Sequence, residues 1–212
     1  MSKTNNLKTS IYSVHPSLKM IQKWIVDLPE KTGKNLDEWV EIVEKEGPPT
    51  GKERRQWLKT EYALTTPTAW CIVDHMEGEL WLGGSNEAYL SLAEKYVEDM
   101  FAGPKSALKP IADELFKIVK TLGIDVKICP CKTIIPFYRN HVFAEVKLAT
   151  QKRIDFGLAL KGVTKKIPAR LVETGGLMKK DRITHCFKIL SLQDIDEELK
   201  EWLAIAYELD CN

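Results

Sequence analysis

Apolar residues recur every three or four positions over roughly the first 120 residues, and at every second position over much of the stretch from about 125 to 190. The first regime predicts helices. In "PSLKMIQKWIVDL" the residues Leu18, Ile21, Ile25 and Leu28 share one helical face. In "NLDEWVEIVEKEG" Leu36, Trp39, Val40 and Val43 do the same behind Asn35 and Glu38, which are spaced as a capping box. Gly47-Pro48-Pro49 stops that helix, and Thr50 with Glu53 repeats the cap pattern ahead of "GKERRQWLKTEYAL". Thr66-Pro67 then opens "PTAWCIVDHM", whose Trp70, Val73 and Met76 read as core. The turn around Leu64 to Thr66 gives a helix-turn-helix outline that directs Thr68 and Asp74 outward, on a helix with few cations for reading DNA.

"EGELWLGGSNE", with Gly83-Gly84-Ser85, marks the expected boundary between a helical module at 1–80 and a second domain at 86–212. After it, Tyr89, Leu92, Tyr96, Val97 and Met100 form one helical stripe. Leu108, Ile111, Ala112, Leu115, Ile118, Val119 and Leu122 form another, ending at Gly123. "DVKIC", "TIIPFYR", "VFAEVKLA", "RIDFGLAL" and "ITHCFKIL" then read as strands, with turns at Arg139-Asn140-His141 and at Ala149 to Lys152. A last helix carries Ile195, Leu199, Trp202, Leu203, Ala206 and Leu209. The fold class is α+β: an all-helical N-terminal module, then an antiparallel sheet of about five strands flanked by helices. Between the last two strands lies "KGVTKKIPARLVETGGLMKKDR", a length of loop that is either functional or a floppy surface insertion.

Composition adds a charge pattern. Residues 1–102 hold 12 basic and 16 acidic residues, 103–188 hold 18 and 7, and 189–212 hold 1 and 7, so a net charge of +1 conceals a middle segment at +11. Such a segment suits a polyanionic partner, or else a basic face balanced by the acidic C-terminal helix. No window approaches the roughly 20 apolar residues of a membrane span, and the lysines at the start lack an apolar segment behind them. No membrane partner and a cytoplasmic location are expected. Five cysteines at irregular spacing argue for reduced thiols.

Two blocks carry a family resemblance. "KTGKNLDEWVEIVEKEGPPTGKERRQWLKTEYALT" resembles a small helical bacterial domain of unknown function with a T-G-K-x-L-x-E-W start and a W-L-K-x-E centre. "FAGPKSALKPIADELFKIVKTLGIDVKICPCKT", "RIDFGLALKGV", "ITHCFKI" and "LKEWLAIAYE" resemble a second domain of unknown function that commonly follows the first. Some members of the second group are labelled predicted transport protein, a label without support in a chain that has no membrane segment. Others are joined to nuclease or restriction-like modules, which implies a nucleic-acid setting by association only.

Glu145-Val146-Lys147 has the acid-x-lysine form used by metal-dependent nucleases, which need further carboxylates on a neighbouring strand. With a three-residue turn Glu145 lies opposite Asp155, as a metal pair would. Two residues of slip place Lys147 opposite Asp155, an ordinary ion pair. Only Asp125 precedes the motif where a nuclease aspartate is wanted. Cys129 and Cys131 with His185 and Cys186 lack zinc-site spacing, so no metal and no cofactor are expected. His185 reads as a core histidine. Gly103-Pro104 with Lys105 forms a helix start suited to an anion.

What remains is a basic sheet surface with interleaved rings: Lys132, Tyr138, Arg139, Phe143, Lys147, Arg153 and Lys161, with Phe137 either among them or in the core. The functional expectation is a non-enzymatic protein binding an anionic partner, foremost nucleic acid. One alternative is a small-anion pocket or enzyme built on Arg139, Arg153 and His185. Another is a protein-interaction adaptor using Trp24, Trp39, Trp57 and Trp70.

Overall fold

A computed structural model describes residues 10–77 and 85–211. The glycine pair expected at the boundary lies outside them. The described residues divide into two compact units, one within Val14–Leu92 and the other formed by those from Ala93 onward together with residues 10–13.

The helical unit contains α1 (Ser17–Val26), α2 (Leu28–Thr32), α3 (Leu36–Glu46), α4 (Gly51–Glu61) and α5 (Thr66–Met76), and the first half of α6 (Asn86–Met100). Asn35 accepts from the Glu38 N–H while the Glu38 carboxylate accepts from the Asn35 N–H, so the capping box at α3 is reciprocal. The α5 cap is Thr65, one residue before the position read from sequence, and Thr66 is already helical. Leu28, Trp39, Val43, Leu58, Ile72 and Val73 fill the core. Trp39 donates its indole N–H to the Thr32 hydroxyl at 2.8 Å, and its ring meets Tyr62 edge-on. Trp70 departs from the core reading. It is 53% exposed with the Arg55 guanidinium stacked over it. Arg55 also pairs with Asp74, and α5 holds neither lysine nor arginine, so this helix-turn-helix outline lacks a basic reading helix.

His15 is buried in this unit, accepts from the Ser17 N–H at 3.1 Å and packs against the Tyr89 ring. Burial pulls its pKa from 6.5 down to about 4. The unfolded chain therefore takes up a proton between these values while the fold refuses it. Stability is complete above pH 6.5 and falls toward pH 4, by roughly 2–3 kcal/mol from this residue. Denaturant titrations of the native chain and His15→Gln at pH 7 and pH 4.5 should show the variant losing about 2 kcal/mol less between the two pH values. Equal losses would mean that His15 is not the acid-sensitive group.

The second unit carries the rest of α6, a 3-10 turn at Gly103–Leu108, α7 (Lys109–Thr121) and α9 (Glu197–Leu209). Its strands are β1 (Lys127–Ile128), β2 (Ile134–Tyr138), β3 (Val142–Leu148), β4 (Ile154–Leu158), β5 (Val172–Glu173) and β6 (His185–Ile189), in the order β1-β2-β3-β4-β6-β5 with every pairing antiparallel. The sixth strand is β5. It lies inside the long insertion with the short helix α8 (Gly176–Lys179), so that segment is built structure. Its earlier part is tied to α9: Lys165 pairs with Glu201 and lies over the Trp202 ring, and Arg170 pairs with Asp196.

One face of the sheet packs against α7 and α9. Ile135, Phe137, Val146, Phe156, Leu158, Phe187 and Ile189 meet Leu115, Phe116, Trp202 and Leu203 there, all buried. The other face carries Glu145, Lys147, Asp155, Gly157, Cys186 and Lys188, and the insertion lies along part of it. Period 2 thus separates an apolar and a charged side, as a half-covered antiparallel sheet requires.

Candidate basic face

The β3–β4 turn sets the register on which the chemistry of this face depends. Ala149 and Thr150 both donate to the Arg153 carbonyl, and the strands then pair Lys147 with Asp155 and Glu145 with Gly157. The arrangement with Glu145 opposite Asp155 does not occur. Gly157 makes the room that Glu145 uses, since a Cβ there would lie 3.0 Å from Glu145 Cγ and 2.5 Å from Ile183 Cγ2. Burial raises the Glu145 pKa, the facing Asp181 raises it further, and Lys147 opposes both. Among the described residues no group of three or more His, Cys, Asp or Glu side chains is gathered as a metal set. The Cys129 thiol is pushed up to about 12 and Cys131 to about 11, both chiefly by burial, so these are protonated thiols at neutral pH.

The sequence-derived binding residues do not form one surface. Phe143 is fully buried. Phe137 pairs with Ala144 and Tyr138 with Val142, so β3 carries one extra residue at Phe143. That bulge turns the ring out of the alternation and onto Tyr207, with centroids 5.5 Å apart. Phe137 is equally buried, leaving Tyr138, half-buried beside Cys131 and Glu145, as the ring on this side. His185 is buried, with Nδ1 2.9 Å from the Thr184 hydroxyl. Burial lowers its pKa against the pull of Glu173, its partner across the strands.

All four arginines of the second unit are committed to carboxylates. Arg139 lies over the Tyr207 ring and pairs with Asp125 at 2.8 Å, and Asp125 in turn accepts from the Tyr207 hydroxyl. Arg153 pairs with Asp155, Arg170 with Asp196, and Arg182 with Asp210. Arg153 precedes β4 at one end while His185 pairs with Leu158 at the other, and Arg139 turns toward α9. The pocket expected from Arg139, Arg153 and His185 therefore does not assemble.

Lysines, interspersed with carboxylates, line the open face. A groove of about 500 Å³ is lined by Lys105, Lys132 and Lys147 together with Asp99, Thr133 and Gln151. A second, of about 420 Å³, is lined by Lys147, Lys179 and Lys188 together with four carboxylates, Glu145, Asp155, Glu173 and Asp181. Lys147 borders both. Across the sheet the row Lys147, Asp155, Lys188 places a carboxylate between two lysines, and that carboxylate is already held by Arg153. Lys179 and Lys188 were missed in the sequence, since nothing local links the insertion to β6 across this face. Lys161 lies apart from both grooves, in a cleft beside α9.

Residues 97–210 match a family described as Domain of unknown function (DUF5655), and residues 20–78 match Domain of unknown function (DUF4287). Neither a curated protein nor a solved structure matches the chain. No described helix is long and apolar enough to cross a membrane. The first match takes in all six strands, both grooves and more than half of the sequence, and on that ground the chain belongs to the DUF5655 family, with a DUF4287 segment ahead of it.

Proposed function

We propose that the second unit is a non-enzymatic binding domain for a polyanion, nucleic acid foremost, and that it grips the phosphate backbone through the lysine-lined grooves on either side of Lys147. The sharing of Lys147 by two grooves supports this reading, because it links Lys105 and Lys132 on one side with Lys188 and Lys179 on the other, the second groove holding its lysines among Glu145, Asp155, Glu173 and Asp181. Lysine is a point charge without the planar fork that reads base edges. With every arginine of the unit already paired with a carboxylate, the contact is one of backbone charge with little sequence preference. The two domains proposed for the chain, 1–80 and 86–212, then divide into a helical module of separate role and this binding domain.

Fluorescence-anisotropy titrations of the full chain with labelled duplex DNA, single-stranded DNA and RNA over a salt series test the reading. Five lysines that neutralise phosphates give a slope of log affinity against log salt of about −3 to −4.5 on duplex, at roughly −0.9 per contact. Two duplexes of unrelated sequence should bind within about threefold of each other. A flat salt dependence, or no binding at low salt, overturns the proposal.

A further inference from the structure

Lys161, which the sequence grouped with the sheet face, belongs to a different concavity. A cleft of about 430 Å³ lies between the end of β4, the insertion and α9. Its floor is small and apolar. Ala159 lies just after β4, and Ala206 and Leu209 stand one turn apart on α9. Leu177 of α8, 48% exposed, supplies an apolar wall. Lys161, Lys180 and Arg182 complete the lining on the basic side.

The charges are differently committed. Arg182 is held by two bonds, from Nε to the Val142 carbonyl and from Nη2 to the Asp210 carboxylate at 2.7 Å. Asp210 is itself spent on the backbone N–H groups of Asn140 and His141 and on the His141 ring. Among the described residues Lys161 and Lys180 have no such carboxylate partner. The remaining acid of the cleft is Asp181, which also borders the groove containing Lys147 and places a carboxylate between the two concavities. A small ligand confined to this cleft meets two lysines that pair with no carboxylate among the described residues, beside an apolar wall.

We infer that this cleft is a separate binding site for a small amphiphilic anion, a single phosphate or carboxylate head on an apolar or aromatic body. The head lies between Lys161 and Lys180 with Arg182 as a fixed donor beside them, and the body lies on Leu209 against Leu177.

Ligand-observed NMR and calorimetric titrations of the full chain with 1-naphthyl phosphate, 1-naphthoate and uncharged 1-naphthol at pH 7 test the site. Both anions should bind saturably and about tenfold more tightly than the naphthol, the equivalent of one charge-assisted contact. Lys161→Ala/Lys180→Ala changes two exposed side chains, and it should remove that tenfold advantage while leaving the naphthol within about twofold. Leu177→Asp, also at an exposed position, should weaken all three probes. Equal affinity for the three, indifference to the double substitution, or no saturable binding would each overturn the inference. Duplex binding by the double variant should remain at the native level, since no lysine is shared with the other grooves, so the two readings fail independently.

Discussion

Charge reversal at three lysines, Lys132→Glu/Lys147→Glu/Lys188→Glu, should lower the affinity for duplex DNA by about 100-fold or more at 50–100 mM salt, and cut the salt slope by roughly 3. All three side chains are exposed, so the fold should survive, with far-UV circular dichroism as the check. Lys147 should dominate among single reversals because it borders both grooves, whereas Lys132 and Lys188 each border one. A new carboxylate at 147 would also stand across from Asp155 and near Glu145, adding like-charge repulsion to the lost attraction. The charge-matched control is Lys165→Glu/Lys166→Glu/Lys200→Glu, in which Lys165 and Lys200 are already paired with glutamates beside α9. If the control weakens binding as much as the groove variant, net charge governs the association and the grooves have no special part in it.

The architecture was legible where the physics is local. The switch from period 3.6 to period 2 marked the sheet, and five of the six strands fall within the stretches read from alternation. The Asn35–Glu38 cap was visible for the same reason, since a capping box lies within four consecutive residues. What alternation could not show was register. The sequence allowed either Glu145 or Lys147 opposite Asp155, and the choice rests on hydrogen bonds that close the turn onto the Arg153 carbonyl. The same period rule misplaced Phe143, because a bulge adds one residue to a strand without altering its pattern of polar and apolar letters.

Charge was legible as a total and misleading as a surface. The +11 segment is real, yet its arginines are largely structural, Lys109, Lys117 and Lys120 lie on α7, and the lysines that line concavities are split between the sheet face and the cleft beside α9. The neutralisation expected from the acidic C-terminal helix occurs in part, through Lys165 and Arg170. Both facts depend on contacts between residues tens of positions apart, which spacing along a chain does not encode. Strand β5 was missed on similar grounds: two exposed residues carry no alternation, and only the neighbouring β6 makes them a strand.

Asp210→Ala should destabilise the second unit by about 2–4 kcal/mol, seen as a lower denaturant midpoint with an unchanged slope. The carboxylate is 3% exposed and accepts from the backbone N–H of Asn140 at 2.9 Å, from that of His141 at 2.8 Å, from the His141 ring and from Arg182. It thereby ties the end of α9 to the β2–β3 turn and to the segment before β6, three places distant in sequence. Truncation leaves two inward-facing N–H groups without an acceptor and Arg182 without its counter-charge. Arg182 and His141 are each about half exposed and can turn to water, which keeps the cost below that of a fully buried pair. Asp210→Asn preserves an acceptor for the N–H groups while removing the charge, and its loss should be about half that of alanine. Equal losses in the two variants would assign the stabilisation to the arginine pair alone. Equal stability to the native chain would mean that α9 is held by its apolar face on Trp202 and Leu203, with the polar clasp contributing little.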